Sequence, residues 1–414
     1  MSQVKTAIRA IALSAFAVVA LASFSGSATA AEKEKQISRV IGKEMAAAQK
    51  ALQAGQWGEA LKNCDAAAGK SGINNFDKSK IAEFRGFAYI KQGNYKGALG
   101  AYEDALGTGV YGPEETLKTE RTIFTLAASA QQYSKALEYG KKLVDAGAAT
   151  NNDLGVIAQL YYVTKDCKNA VTWADKAISA SRKAGEAPKE QFYQFKLSCA
   201  SKSGDNASII AALEDLVKAT NKTEYWNNLI RLMRQDEKED KSLLMIYRVM
   251  YNTNSMNAVS DYTEMAQLLL DAALPGEAQL VLEKAAAAGL VKEEQKDRFT
   301  RLLNSAKQRA DIDRRDIAKL DAEAAKNKAG EADVKTGEVY YALGDYQNAI
   351  KTIQRGMEKG GVRHMDEAYV YMGLAQAALK NTAEARKAFA GLKSVPNVSP
   401  RVLKLWELYA EKQL

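Results

Sequence analysis

The sequence predicts an all-α protein, a right-handed α-solenoid of about nine to ten helix pairs with a C-terminal capping helix. Its composition is that of a mostly helical protein, since 47% of the 414 residues are hydrophobic, 26% are charged and only 5 are proline. Amphipathic helices recur along the chain with a step of about 33 to 39 residues, the signature of a repeat architecture. Small residues also recur at fixed positions within this step, as closely crossing helices require.

The first thirty residues are interpreted as a signal peptide. Lys5 and Arg9 precede an apolar run over 10–24, and the segment ends in the small-residue motif Ala28-Thr29-Ala30. The apolar run is shorter than the roughly 20 residues that a membrane-spanning helix needs, and no later run is long enough. We therefore expect cleavage near Ala30 and an exported protein of the Gram-negative periplasm, with no transmembrane segment after cleavage.

The charge balance of the mature chain is mildly basic. Loss of Lys5 and Arg9 lowers the formal net charge from +8 to +6, and the remaining basic residues alternate with acidic ones. An exported chain rarely meets nucleic acid, so no nucleic-acid partner is expected. The charge instead indicates a solvated surface, or contact with acidic envelope partners such as anionic lipid headgroups or acidic peptides.

Two segments carry the clearest repeat motif. The stretch IAEFRGFAYIKQGNYKGALGAYEDAL, from Ile81, contains two amphipathic helices joined at Gly93-Asn94-Tyr95. A second copy begins at Ala332 and has its turn at Gly344-Asp345-Tyr346. Both segments resemble the tetratricopeptide repeat (TPR), a helix pair that stacks into solenoids with a concave binding surface.

Nine repeats are predicted from these two copies, with starts near residues 41, 79, 117, 151, 190, 223, 259, 330 and 366. When the nine repeats are aligned, one position of the second helix, the second-helix column, is expected to hold a small residue. It is alanine in seven repeats, and the exceptions are Ile209 and Ser242. The corresponding column of the first helices departs from small residues at Phe124, Leu197 and Ile230. The repeats keep one phase, so the sequence predicts one continuous superhelix.

The domain organisation follows from the repeat period. An N-terminal array of TPR-like repeats is expected over 31–290 and a C-terminal pair of repeats over 330–395. The gap between them, 291–329, is predicted to hold a divergent and highly charged helix pair, interpreted as a degenerate repeat, with a hinge or partner-contact surface as the alternative. Pro400 begins a final helix, so 396–414 is predicted to cap the stack.

The arrangement of the whole chain also resembles periplasmic TPR proteins that are associated with TonB-ExbB-ExbD systems. Three segments carry this second resemblance: YWNNLIRLM from Tyr225, AQLLLDAALPGEAQLVLEKAAAAGLV, and EKGGVRHMDEAYVYMGLAQAAL. The resemblance implies a role as an accessory of TonB-dependent outer-membrane transport.

The three cysteines permit at most one disulfide in a monomer. Cys64, Cys167 and Cys199 all fall where helices pack, so a small buried residue is the default interpretation. Cys167 and Cys199 lie in neighbouring repeats at positions that can face each other, and they are the candidate disulfide. No cysteine or histidine has a partner at metal-ligand spacing, so neither a metal nor a cofactor is expected.

Catalytic motifs are absent from the sequence. The nearest match, CDAAAGKS at 64–71, resembles a phosphate-binding loop but ends a helix where such a loop must begin one. The single histidine, His364, is expected to be an exposed residue of the turn between two repeats. We therefore expect a protein that is not an enzyme.

The expected binding surface is the concave groove lined by the first helix of each repeat. Its rings, amides and guanidinium groups suit an extended peptide or a partner helix, although each phenylalanine can equally fill space between helices. The predicted groove residues are Phe84, Phe87, Lys91, Arg121, Thr125, Gln159, Tyr162, Phe195, Asn227, Asn228, Arg231 and Arg234.

The sequence thus predicts a non-catalytic periplasmic scaffold that binds an envelope protein or peptide in this groove. Arg231 and Arg234 have a second interpretation, as ion-pair partners of Asp236 or Glu239. Two other functions remain as alternatives: a carrier of a small molecule or lipid, and an envelope enzyme that acts on the cell wall.

Overall fold

The computed structural model describes residues 36–235, 237–396 and 398–414, so the predicted signal peptide lies outside the described residues. Within these ranges the chain forms helices and turns and contains no strand. Its contacts divide it into two compact units, with the boundary between Cys199 and Ala200. The sequence predicts one continuous superhelix, whereas the contacts group the helices into two units, which are described separately below.

The first unit contains four helix pairs followed by most of a ninth helix. The pairs are α1 (Gly42–Gln53) with α2 (Trp57–Ala68), α3 (Asn75–Lys91) with α4 (Tyr95–Gly107), α5 (Pro113–Ser129) with α6 (Tyr133–Asp145), and α7 (Asn151–Val163) with α8 (Cys167–Lys183), and the ninth helix is α9 (Glu190–Ser203).

The second unit contains the remaining helices. They are α10 (Asn206–Thr220), α11 (Thr223–Arg234), α12 (Asp240–Asn252), α13 (Val259–Asp271), α14 (Pro275–Ala287), α15 (Lys296–Lys326), α16 (Glu331–Ala342), α17 (Tyr346–Lys359), α18 (Met365–Ala378), α19 (Thr382–Gly391) and α20 (Pro400–Lys412). Short 3₁₀ turns at Glu293–Gln295 and Leu392–Ser394 precede α15 and follow α19.

The prediction of nine regular repeats is confirmed at the level of the helices. The first helices begin at residues 42, 75, 113, 151, 190, 223, 259, 331 and 365, each within about four residues of the predicted start. All seven alanines of the second-helix column are completely buried. The fifth predicted repeat corresponds to α9 and α10, which the division into units separates.

Phe124 is a large residue at the first-helix position that is small in most repeats. It is accommodated because the ring and the glycine that faces it have exchanged helices. In the repeat of α3 and α4, a Cβ on Gly86 would lie 2.5 Å from the ring of Tyr102 on the second helix. In the next repeat the ring is Phe124 on the first helix, and Gly140 on the second helix provides the space. Phe124 is 1% exposed, so its departure from the small pattern preserves the packing.

A left-handed residue ends the first helix in most repeats. The expected turn glycines Gly55, Gly93 and Gly344 have φ values of 70°, 72° and 81°. The same position holds a non-glycine residue with positive φ in four other repeats: Gln131, Lys165, Ala273 and Lys380. The turn conformation is therefore set by the helix-pair geometry even where the sequence lacks glycine.

In the first unit, a disulfide joins Cys167 at the start of α8 to Cys199 on α9, with the two Cα atoms 5.4 Å apart. The third cysteine, Cys64, is a free and completely buried thiol of α2. Burial raises its pKa to about 11, so it stays protonated and packs as a small apolar residue.

In the second unit, the segment predicted as a divergent helix pair is one long helix. After the 3₁₀ turn, α15 runs without interruption for 31 residues. The prediction of a pair is wrong because no glycine or proline interrupts this segment, and because α15 binds two neighbouring regions along its length. Arg314 donates to Gln279 of α14, and Asp321 forms an ion pair with Arg355 of α17.

The C-terminal helix packs on the last repeat as expected, and it also contacts the beginning of the second unit. The rings of Phe389 on α19 and Trp406 on α20 stack with centroids 5.0 Å apart. On another side of α20, Arg401 donates to the carbonyl of Met233 at 3.2 Å, and Asn221 donates to the carbonyl of Lys412 at 3.1 Å. Helix α20 thereby joins the last repeat to the beginning of the second unit.

No helix of the described ranges is long and apolar enough to cross a membrane. The predicted domain boundaries at residues 290, 329 and 395 stay predictions.

The segment 64–71, which resembles a phosphate-binding loop in sequence, lies at the end of α2 as expected, since α2 ends at Ala68.

Candidate functional site

The two phenylalanines predicted in the groove of α3 pack against the first repeat. Phe84 contacts the core formed around Ile41 and Met45. Phe87 lies edge-on to Trp57 of α2, with ring centroids 6.3 Å apart, and the Lys91 ammonium lies 5.3 Å from its ring centre. Both rings are only half-buried, so they hold the first two repeats together while leaving part of their surface to solvent.

Tyr162 of α7 and Phe195 of α9 form an aromatic contact between the two helices. Their rings stack with centroids 4.4 Å apart, and the Tyr162 hydroxyl lies 2.9 Å from the Ser198 hydroxyl. Phe195 is only 5% exposed. This phenylalanine therefore fills space between the two helices, which the sequence left open as an alternative to groove lining.

Arg121 and Gln159 are also used inside the first unit. The Arg121 Nε donates to Asp153 of α7 at 3.1 Å, and its guanidinium also donates to the carbonyl of Ala148. Gln159 is 3% exposed, and its Nε2 has no hydrogen-bond partner among the described residues. Arg121 therefore joins α5 to α7 and to the loop that precedes α7, and Gln159 lies in the interior of the unit.

The four residues predicted on α11, in the second unit, separate into two kinds. Arg234 donates to the Tyr247 hydroxyl and forms an ion pair with Asp261 at 3.2 Å, so it fastens α11 to α12 and α13. The pairing with Asp236 that the sequence suggested lies outside the described residues. Asn227, Asn228 and Arg231 instead lie on the solvent side of α11, where Asn227 and Asn228 are half-buried and Arg231 is exposed.

An open pocket of about 380 Å³ lies beside these residues, and we call it the asparagine pocket. It is formed by the first turns of α11 and by the loop between α12 and α13. Its lining residues are Thr223, Glu224, Asn227, Asn228, Asn254, Met256 and Asn257. Of these seven, Met256 is 6% exposed and supplies an apolar floor.

The asparagine pocket is held in shape by two of its own amides. Asn227 Nδ2 donates to the Ser255 carbonyl and to Asn257 Oδ1, both at 2.7 Å. Asn254, which has a φ of 53°, accepts a hydrogen bond from Lys284 at 2.8 Å. These bonds tie the loop to α11 and α14 and so define the shape of the pocket.

Several polar groups of the asparagine pocket remain available. Within the described part of the chain, the amide nitrogens of Asn228 and Asn257 donate no hydrogen bond, and the Glu224 carboxylate has no partner. Glu224, Asn228 and Arg231 are spaced i, i+4 and i+7 and therefore share one face of α11. Amide donors and acceptors of this kind can pair with the N–H and C=O groups of a peptide backbone.

A buried charge network in the second unit was not predicted from the sequence. Arg248 of α12 is 1% exposed and donates to both carboxylate oxygens of Glu277 on α14, at 3.2 and 3.1 Å. The Tyr371 hydroxyl of α18 donates to Glu277 at 2.7 Å, and Arg248 also donates to this hydroxyl. Repeat periodicity marks these positions only as helical, and nothing in the period distinguishes a buried arginine from a surface one.

Two further ion-pair groups adjoin this network. Lys335 of α16 binds Glu338 at 2.9 Å and Glu367 at 2.7 Å. Lys241 of α12 binds Asp366 at 2.7 Å and lies 2.9 Å from Nδ1 of His364. The expectation that His364 is a plain exposed loop residue is therefore wrong, because it is half-buried against this lysine.

Metal coordination has no candidate in the described ranges, where no group of three or more His, Cys, Asp or Glu side chains is arranged to hold an ion.

Comparison with known protein families finds a match near the C-terminus of the chain. The family model of the tetratricopeptide repeat matches residues 331–355 and 367–397, which comprise most of α16 to α19. No protein of curated function matches the sequence.

Solved structures with similar helix arrangements include a tetratricopeptide repeat protein from Parabacteroides merdae, with 13% identity over 90% of this chain and 99% of that chain and a TM-score of 0.33. The complex of Naa15/Naa10 bound to HypK-THB has 12% identity over 87% of this chain and 64% of that chain, with a TM-score of 0.39. The TPR2AB domain of yeast Sti1, in complex with pHSP90, has 12% identity over 73% of this chain and 100% of that chain, with a TM-score of 0.24. At these TM-scores nothing about the function of this chain follows from the likeness.

Proposed function

We propose that this chain is a non-catalytic scaffold of the periplasm that binds an extended peptide segment of an envelope protein, and the match of residues 331–355 and 367–397 to the tetratricopeptide repeat supports the scaffold role. The observation that carries the proposal is the asparagine pocket, whose free amides lie on the solvent face of α11, at Asn228, and on the loop between α12 and α13, at Asn257. An extended peptide exposes one N–H and one C=O group per residue, and neutral amides satisfy both kinds of group.

The charged groups beside the asparagine pocket support the same ligand class. Glu224 lies at one end of the polar face of α11 and Arg231 at the other, seven residues apart or about 10 Å along the helix axis. The exposed Arg231 guanidinium suits a carboxylate of the ligand, and the Glu224 carboxylate suits a basic group.

Export is supported by the disulfide and by the N-terminal sequence pattern. Disulfides form and persist in oxidising compartments and are rare in the cytosol. The bond between Cys167 and Cys199 is consistent with folding outside the cytosol after cleavage near Ala30. The narrower proposal, an accessory of TonB-dependent transport, is supported by the three sequence segments that resemble proteins of such systems.

Binding of peptides by the full chain tests the proposed function. Labelled protein is applied to an array of peptides tiled from Gram-negative envelope proteins, and the affinities of the retained peptides are then measured in solution. We expect the double variant Asn228→Ala, Asn257→Ala to bind these peptides about tenfold more weakly, because two hydrogen bonds of about 0.5–1.5 kcal/mol each are lost.

The matched control is Asn304→Ala, which removes an exposed asparagine of α15. The control is expected to bind like the unmodified chain. Equal binding by all three proteins would contradict the proposal, and copurification of a small molecule or lipid would favour the carrier alternative.

A further inference from the structure

Glu338 occupies an unusual position for a carboxyl group. It lies in the middle of α16 and is completely buried. One of its oxygens, Oε2, accepts from the Lys335 ammonium at 2.9 Å, while Oε1 has no hydrogen-bond partner among the described residues. An ionised carboxylate needs several donors to offset the loss of water, and this one has a single donor.

The single donor is shared and partly solvated. Lys335 also binds Glu367 of α18, at the shorter distance of 2.7 Å, and its side chain is 40% exposed. Water therefore screens the attraction between Lys335 and Glu338. One ammonium ion cannot neutralise two carboxylates, so one of the two glutamates is better accommodated as the neutral acid.

The charges around Glu338 balance without it. The positive groups are Arg248 and Lys241 of α12 and Lys335 of α16, and the negative groups are Glu277 of α14 with Asp366 and Glu367 of α18. The hydroxyl of Tyr371 and the ring of Tyr341 complete the surroundings. On the neighbouring helix α15, Asp321 accepts a hydrogen bond from the Tyr340 hydroxyl, and on α17 Arg355 forms an ion pair with Asp333. These two charged groups therefore bind partners other than Glu338.

We propose that Glu338 holds a proton at neutral pH, and that loss of this proton at higher pH loosens the contact between α16 and α18 inside the second unit. Ionised Glu338 would place its negative charge beside the negatively charged carboxylate of Glu367. The resulting repulsion acts across the interface of these two helices, which the ion pair between Lys335 and Glu367 joins.

The pKa of Glu338 agrees with this geometry. Burial raises it from 4.5 to about 8, with the neighbouring Glu367 acting in the same direction. For Glu367, burial acts to raise the pKa, but the adjacent Lys335, together with Arg248 and Lys241, lowers it overall. Of the two carboxyl groups, Glu338 is therefore the one that keeps the proton.

The proton site also bears on the asparagine pocket, a step that rests on the proposed function. Arg248 and Lys241 tie α12 to α18, and α12 ends at Asn252, two residues before Asn254 of the pocket loop. Loosening of α18 would release the helix that leads into the pocket. We expect peptide affinity to fall as pH rises through the pKa of Glu338.

The sign of the stability effect follows from proton linkage. Between the unfolded pKa of 4.5 and the folded pKa of about 8, the folded chain binds one proton more than the unfolded chain. Stability therefore decreases as pH rises through this window and is constant with respect to this group outside it.

Hydrogen exchange of the full chain, followed for amides of α16 and α18, measures this effect. The ratio of exchange rates between the unmodified chain and Glu338→Gln cancels the intrinsic pH dependence of exchange. We expect this ratio to rise with pH throughout the window, by up to about tenfold per pH unit. Glu358→Gln, an exposed change on α17, is the matched control and should leave the ratio flat.

A flat ratio for Glu338→Gln would overturn the proposal. Glu367→Gln provides a second variant in case the first does not fold. Because it removes the carboxylate that repels ionised Glu338, it should lower the folded-state pKa of Glu338, so that the pH-dependent loss of protection ends at a lower pH; an unchanged end point would also overturn the proposal. Failure of the peptide-binding test, by contrast, would remove the link to the asparagine pocket and leave this stability effect unchanged.

Discussion

At the scale of single residues, the turn position of the repeat shows how backbone geometry overrides side-chain preference. Four repeats place a non-glycine residue where φ is positive, and Ala273 has a φ of 60°. The left-handed conformation costs a residue with a Cβ roughly 1–2 kcal/mol. The helix-pair packing compensates for this cost in each case.

Ala273→Gly is expected to stabilise the second unit by about 1 kcal/mol, because it relieves this strain and loses only part of the gain to unfolded-chain entropy. Thermal or urea unfolding of the full chain measures the change. The adjacent Ala272 has a φ of −79° and is also exposed, so Ala272→Gly should not stabilise. Equal effects of the two substitutions would contradict this account of the turn.

A second residue-scale prediction concerns the exchanged ring and glycine of the third repeat. Gly140→Ala adds a Cβ that would lie 2.9 Å from the Phe124 ring and 3.0 Å from Ile157. We expect this overpacking to destabilise the first unit by about 1–3 kcal/mol.

The control is the same substitution at Gly100 of α4, where a Cβ meets nothing within 4 Å. There the change should stabilise the helix by about 0.4–1 kcal/mol. Unfolding measurements on both variants must give opposite signs, and a neutral Gly140→Ala would refute the packing described for this pair.

At the scale of helices, the sequence predicts the repeats well because their packing requires small residues at fixed intervals. The predicted starts and the buried alanine column depend on this requirement. The single helix α15 was missed because its apolar residues keep helical spacing without marking where a pair would turn. Periodicity shows that a segment is helical but does not count the helices in it.

The functional side chains were harder to predict than the helices. Position in the repeat selected Asn227, Asn228 and Arg231 as groove residues; they lie on the solvent side of α11, and their role in binding stays a prediction. It also selected Phe195 and Arg234, which are used in packing and in an ion pair. The other half of the asparagine pocket, Asn254 and Asn257, comes from a loop whose position depends on the fold of the second unit.

The disulfide links two elements of the first unit, α8 and α9. Replacing both Cys167 and Cys199 by alanine should destabilise the region around α9 by about 3–4 kcal/mol, the value that loop closure predicts for their separation of 32 residues. Titration of the denatured, unreduced protein should detect one thiol, that of Cys64. Three thiols would exclude the disulfide in the protein as isolated.

At the scale of the whole molecule, the two units differ in how much polar structure they bury. The second unit contains the Arg248 and Glu277 pair and the buried Glu338, and its C-terminal helix returns to its first helices. Buried pairs of this kind contribute little net stability but strongly penalise the loss of one partner. They therefore fix the register of α12, α14 and α18, on which the shape of the asparagine pocket depends.

The central claim is that the asparagine pocket binds an envelope partner, and photocrosslinking in cells tests it most directly. A photoreactive amino acid is placed at Asn228, at Asn257 and, as the control, at Asn304, and captured proteins are identified by mass spectrometry. The account predicts that both pocket positions capture the same periplasmic or outer-membrane protein and that Asn304 does not. Absence of capture at both pocket positions, or identical capture at Asn304, would contradict it.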